Sequence, residues 1–158
     1  MRKVADAAAE FLACKRIAVT GVSRNPAGHG ANVVYDRLKA RGYEVFAVNP
    51  NAKEIDGAEC HPDLASIPDG VDAVVVGTSA AHAEATVREC VALGVPIVWL
   101  HRSMGPGSVS APATEYGRAH GITVIDGGCP LMYPPASDAG HRVMRWVCTL
   151  SGVLPKKV

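Results

Sequence analysis

The chain carries no excess of either charge. Its 16 basic and 15 acidic residues leave a formal charge of +1, which gives no broad electrostatic grip on nucleic acid or an anionic membrane. Long apolar runs are missing as well. Stretches such as Ala73 to Val76 are far too short to span a bilayer. Two basic residues lie near the amino terminus, but Asp6 and Glu10 interrupt what would be the apolar region of a signal peptide. A cytoplasmic location, with neither membrane nor nucleic acid as partner, is therefore expected. The five cysteines, at 14, 60, 90, 129 and 148, make no CxxC and no metal-finger spacing. They read as free thiols of a reducing compartment, most of them serving as small apolar core residues, and no metal site is expected. Linkers, low-complexity tracts and solenoid-length repeats are also absent, so residues 1–158 are expected to form one domain with its core in 16–133.

The composition is that of an ordinary globular protein, 48 % apolar and 20 % charged over 158 residues, long enough to bury a full core. Strand and helix patterns alternate along it. Residues 2–13 place Val4, Ala8, Phe11 and Leu12 on one helical face, expected to cap the sheet from outside. Ile17 to Thr20 reads as a buried strand, followed by a turn rich in Gly, Ser, Asn and Pro. A helix then carries Ala31, Val34, Tyr35 and Leu38, and Gly42 stops it. Tyr43 to Val48 is a second strand that leaves the sheet at Pro50, a residue with no N–H for a ladder. A loop over 51–57 and a short edge strand over 58–61 come next. Val71 to Val76 has the continuous apolar character of a strand buried on both faces. The helix after it points Ala83, Val87, Cys90 and Val91 inward and ends at Gly94. Val95 to Leu100, a helix over 111–120, Ile122 to Ile125 and a final helix over 137–150 complete the pattern. That last helix carries Val143, Trp146, Val147 and Leu150 on one stripe. The alternation predicts an α/β fold, a doubly wound, Rossmann-like parallel sheet in three α/β/α layers, with an extra helix at each end.

In such sheets a ligand sits at the carboxyl ends of the strands, where strand order reverses beside the first strand. The candidate residues are therefore those that end strands: Gly21 to Asn25, Asn49 to Lys53, Gly77 to Ser79, His101 to Ser103 and Asp126 to Pro130. The first of these turns opens a helix, a place where backbone N–H groups and the helix dipole favour phosphate. Yet two features of the dinucleotide fingerprint are missing. The turn has Ser23 and Pro26 where the second and third glycines belong, and no acid stands at the end of the second strand before Glu54. Arg24 and Lys53 stand there instead. These cations suit a ribose with an additional phosphate, which NADP carries on its 2′ oxygen and coenzyme A on its 3′ oxygen.

The segments GVSRNP, RGYEVFAVNPNAKEIDG, VDAVVV, VWLH and GGCPLMY occur in an order that resembles the family of small CoA-binding proteins. Their fold is similar to the CoA-binding domain of the succinyl-CoA synthetase α subunit, and the resemblance runs from about Arg16 to Tyr133. It implies that Gly21, Val22, Ser23, Arg24 and Asn25 hold the CoA phosphates. It also implies that Asn49, Pro50 and Lys53 flank the adenosine end, and that Thr78, Leu100 and His101 line the rest of the groove. The chain departs from the family pattern at Gly77-Thr78-Ser79, where bulky or basic residues are common, and at His101, where glutamine is common.

The expected function is non-catalytic binding of coenzyme A or an acyl-CoA, as a sensor or an accessory subunit, with no catalytic residue assigned. A ligase of the synthetase type needs a phosphorylated histidine and a nucleotide-grasp domain, for which 158 residues leave no room. A homodimer or a CoA-using enzyme partner stays open. Two alternatives stand beside this reading: a small NADP-dependent oxidoreductase, and an interaction module with no physiological cofactor. Among other residues, His29 is a candidate ligand contact at the helix start, Cys129 reads as a buried structural thiol, and Asp138 with His141 reads as helix-start chemistry.

Overall fold

A computed structural model describes residues 2–25, 30–103 and 105–158. Among the described residues, seven strands form one sheet: β1 (Arg16–Thr20), β2 (Glu44–Val48), β3 (Glu54–Ile55), β4 (Ala58–His61), β5 (Ala73–Val76), β6 (Ile97–Leu100) and β7 (Thr123–Asp126). Their order is β3-β4-β2-β1-β5-β6-β7, parallel throughout except for the antiparallel β3–β4 pair. Five α-helices accompany them: α1 (Val4–Ala13), α2 (Gly30–Ala40), α3 (Ala80–Leu93), α4 (Ala111–Ala119) and α5 (Ala139–Leu150).

The central strands are buried on both faces, which explains their unbroken apolar runs. Successive side chains go to opposite sides. Ile17, Val19, Ala73, Val75, Ile97, Trp99 and Ile125 join Phe11 of α1 and Val34, Tyr35 and Leu38 of α2 in one cluster. Ala18, Val74, Val76, Val98, Leu100 and Val124 meet Ala83, Val87 and Cys90 of α3 and Ala113 of α4 in the other. Helix α1 docks edge-on against Trp99 through Phe11, with ring centroids 5.3 Å apart. The expected doubly wound, three-layer α/β fold is thus observed.

Two local expectations need correction, and one helix takes a direction the sequence left open. The segment 51–57 is not all loop, because Glu54–Ile55 pairs back on β4 across a two-residue turn. Both turn residues, Asp56 (φ 50°) and Gly57 (φ 78°), adopt the left-handed conformation such hairpins require. Val91 is only half-buried, since Ala83, Val87 and Cys90 already fill the face of α3 turned to the sheet. The apolar stripe of α5 points into solvent: Val143, Trp146, Val147 and Leu150 are all exposed.

Candidate functional site

The strand order reverses between β2 and β5, with β1 between them. Here the chain after β1 passes very close to the chain after β5. Gly21 has φ 79°, and a Cβ on it would lie 2.6 Å from the carbonyl carbon and oxygen of Gly77. Only a residue without a side chain fits this crossing. Its amide donates to Val48 O (3.1 Å), and the Gly77 amide donates to Thr20 O (3.1 Å), so β2, β1 and β5 are tied at their carboxyl ends.

The turn that follows is held by side chains. The Ser23 N–H donates to Asn32 Oδ1 (2.9 Å), and Asn32 Nδ2 donates to Ser23 O (2.8 Å). Asn32 is a buried polar residue in the first turns of α2, and both ends of its amide are used to fix Ser23. Ser23 Oγ accepts from the Asn25 N–H (3.1 Å) and so keeps its own proton for donation to a ligand. From β2, Asn49 Nδ2 donates to Val22 O (2.9 Å) while Asn49 Oδ1 accepts from the Asn51 N–H (2.9 Å). The side chain that stands where dinucleotide sites place a ribose-binding acid thus holds backbone instead.

A cleft of about 390 Å³ opens at this junction, walled by Thr20, Gly21, Asn49, Pro50, Asn51 and Thr78 on one side and by residues of α3 on the other. Asp63 and Glu89 also line it. Glu89 Oε1 accepts from the Leu64 and Ala65 N–H groups, and Asp63 Oδ1 from the Ser66 N–H, so backbone donors offset both charges. Thr78 Oγ1 is buried without a hydrogen-bond partner among the described residues. An unsatisfied hydroxyl costs about 1–3 kcal/mol unless something binds it. Meanwhile Ser108 Oγ donates to Thr78 O, pinning the strand-end loop.

A larger hollow of about 610 Å³ lies at the amino-terminal side of the sheet, among Leu12, Cys14, Arg41, Tyr43 and Pro135. It is the poorer candidate despite its size. Ligands of doubly wound sheets bind at the opposite ends of the strands, and its Tyr43 hydroxyl is already bonded to Leu12 O (2.7 Å).

A family model described as a CoA binding domain matches residues 15–135. The chain belongs to the CoA binding domain family. The CoA-binding domain here is also 34 % identical over 76 residues to an ADP-forming acetate–CoA ligase from Archaeoglobus fulgidus. That stretch is 48 % of this chain but only 11 % of the ligase, so the chain spans a small part of that relative's length. Among solved structures, a hypothetical protein from Pyrococcus horikoshii superposes with a TM-score of 0.73 at 25 % identity, over 83 % of this chain and 92 % of that one. A dinucleotide-forming acetyl-coenzyme A synthetase from Candidatus Korarchaeum cryptofilum gives a TM-score of 0.62 at 22 % identity. It matches 88 % of this chain and 36 % of its own, a likeness of fold.

Within the CoA-binding domain, the sequence candidates divide into groups. Gly21, Asn49, Pro50 and Thr78 share the cleft wall. Val22 is fully buried and takes part through its carbonyl, and the Leu100 side chain lies in the core with Val76 and Val98. Arg24, Asn25 and Lys53 are exposed, and all three, like Ser23, lie outside the cleft lining. His29 falls outside the described residues. Asn32 and Ser108 belong to the candidate site but escaped the sequence reading, whereas Asn51 lies within the candidate stretch Asn49 to Lys53. The signal for Asn32 was a polar residue beside Ala31, on a helix whose buried positions are otherwise apolar.

His101 lies on the other side of the junction, lining a smaller cleft of about 180 Å³ with Gly30, Val33, Cys129, His141 and Met144. Its ring sits against the Gly30 backbone, and a Cβ there would come within 2.9 Å of Cε1. Burial, aided by the nearby His141, lowers the His101 pKa to about 4. Burial likewise pushes the Cys129 thiol up to about 12, so the thiolate that reactive cysteines need is scarce. Asp138 caps α5, accepting from the His141 N–H and ring, and these bonds lower its pKa.

The neutral His101 makes stability pH-dependent. Its folded-state pKa lies below the unfolded value, so the unfolded chain binds the extra proton and stability falls as pH drops from about 6.5 toward 4. Between pH 7 and pH 5 the native protein should lose about 2 kcal/mol more than His101→Gln, measured by urea unfolding. Equal losses in the two proteins would mean that His101 can be protonated in place.

Proposed function

We propose that this protein binds coenzyme A or an acyl-CoA without transforming it, as a sensor or as an accessory subunit to a CoA-using enzyme. In this reading the diphosphate rests on the Gly21–Asn25 turn, with the Ser23 hydroxyl as donor. The adenosine lies in the cleft against Asn49, Pro50 and Asn51. Lys53 or Arg24 meets the 3′-phosphate, and Thr78 and the Leu100–His101 strand end flank the remainder. Bound, CoA supplies a thiol or thioester that these residues would hold rather than activate.

The observation carrying the proposal is the Asn32–Ser23–Asn49 lattice at the switch point. It supports a turn preorganised for phosphate while committing Asn49 to backbone in place of a ribose-reading carboxylate. The partnerless Thr78 hydroxyl fits a site built to meet a polar ligand. A binding role, as opposed to a catalytic one, is supported by the character of the two suspects near the groove. His101 is held neutral and Cys129 is a buried, protonated thiol. Ligase activity like that named for the Archaeoglobus relative would need a further subunit or domain, which is why partnership forms part of the proposal.

The test is a like-charge substitution. Ser23→Glu should weaken CoA at least tenfold, about 1.4 kcal/mol, with the circular dichroism unchanged. An unchanged affinity would move the phosphates elsewhere.

Lys53 is tested with a ligand pair. Lys53→Ala should weaken CoA by roughly 1–2 kcal/mol, the range of a hydrogen bond to a charged group, and leave dephospho-CoA nearly unaffected. The deficit should shrink with added salt. Equal weakening of both ligands would transfer the 3′-phosphate to Arg24.

A further inference from the structure

Helix α5 is apolar on the wrong side. The positions turned toward the protein are His141, Met144, Arg145 and Cys148, of which only Cys148 is buried. The opposite face presents Val143, Trp146, Val147 and Leu150, exposed by 62, 65, 51 and 70 %. This is an i, i+3, i+4, i+7 ridge, the spacing by which one helix packs on another. In a globular protein such helices bury their larger apolar face against the core. Here it faces out, and the helix is held to the domain by its smaller inward face, where Cys148 joins the core and Met144 packs against it, and by polar contacts at its start and middle. Asp138 accepts from the His141 N–H and ring, and the Arg145 guanidinium lies 4.4 Å from the Tyr133 ring centroid.

We infer that this ridge is the interface of a twofold homodimer, in which α5 packs antiparallel on α5 of a second copy. The ridge complements itself in that arrangement. An axis passing between Trp146 and Val147 sets Trp146 against the second copy's Val147, and Val143 against its Leu150, so every apolar residue meets an apolar one. Isologous interfaces demand this self-matching. Charge selects the direction. The exposed Arg142 lies in the amino-terminal half and flanks the ridge, Arg145 is turned inward over Tyr133, and Ala139–Leu150 contains no acidic residue. A parallel pair would bring the two Arg142 side chains together. An antiparallel pair lays each Arg142 beside the other helix's carboxyl end, where the dipole is negative.

Size sets the strength. Four such side chains, one of them a tryptophan, present on the order of 400 Å² of apolar surface per chain. Doubled across the axis, that lies below the total of about 1,200 Å² at which stable interfaces begin. The dimer is therefore concentration-dependent, not obligate. This inference does not rest on cofactor binding.

Sedimentation of the purified chain from about 1 to 500 μM should show monomer giving way to dimer, the regime of small interfaces. Trp146 emission should shift to the blue over the same range, since the chain's other tryptophan, Trp99, is already buried. Trp146→Glu should raise the dissociation constant at least a hundredfold without changing the circular dichroism. The register is tested by mixing two singly substituted chains. Val143→Glu and Leu150→Lys should each dimerise poorly alone. Their mixture should recover a heterodimer, because the antiparallel register sets the introduced carboxylate of one chain opposite the introduced ammonium of the other. A native chain that stays monomeric overturns the inference, including one that binds phosphatidylserine vesicles instead. So does a Trp146→Glu chain that still dimerises, or a mixture that recovers nothing.

Discussion

Replacing Gly21 with alanine is expected to destabilise the protein by about 3–4 kcal/mol, a composite of backbone strain and overpacking. The residue sits at φ 79°, and holding a side chain in that region costs roughly 1–2 kcal/mol. The added Cβ would also stand 2.6 Å from the carbonyl carbon and oxygen of Gly77 and 2.9 Å from the Thr78 amide. These are backbone atoms at the end of a central strand, with no rotamer to retreat into, so β1 and β5 must separate. At about 2–4 °C of melting temperature per kcal/mol for a chain this long, the loss should be near 10 °C. Gly57→Ala is the control. Gly57 has a similar φ of 78° but nothing within 4 Å of the added Cβ, so only the strain of roughly 1–2 kcal/mol applies. Equal losses at the two positions would mean that the Gly21–Gly77 crossing does not constrain the fold.

Asn32→Ala should cost about 2–3 kcal/mol of stability and at least a hundredfold in CoA affinity, because one change leaves both the Ser23 N–H and its carbonyl without partners. The affinity falls because a turn that wanders must be ordered by the ligand at the moment of binding. Asn32→Asp separates scaffold from charge. It can still accept from the Ser23 N–H but cannot donate to the Ser23 carbonyl, and it places a negative charge beside the proposed phosphate seat. CoA should therefore bind more weakly to Asn32→Asp than to Asn32→Ala. If Asn32→Ala loses stability but keeps full CoA affinity, the turn is a structural corner and not the phosphate seat.

Much of the fold was legible because its parallel strands are buried on both faces and announce themselves as unbroken apolar runs, such as AVVV and IVWL. The glycines at 42 and 94 marked helix ends for a local reason that needs no tertiary information. What sequence could not show depends on distance or direction. The Asn32–Ser23 pair lies nine positions apart and joins a helix to the turn before it, so no single periodicity links them. The β3 strand is two residues long and exists only through its pairing with β4. For α5, periodicity reveals a ridge but not which way it faces. The candidate site shows the same division. Gly21, Asn49, Pro50 and Thr78 converge because strand ends converge by topology. Lys53 and Arg24 were chosen for charge, and their exposed side chains owe their placement to loops that no strand dictates.

The central claim concerns which ligand this junction holds, and titration calorimetry of the purified protein with CoA, acetyl-CoA, NADPH and NAD tests it most directly. CoA and acetyl-CoA should bind with micromolar dissociation constants, about −8 kcal/mol, while NAD and NADPH give no measurable heat of binding. NADPH binding in preference to CoA, or no binding by any of the four, would contradict the account.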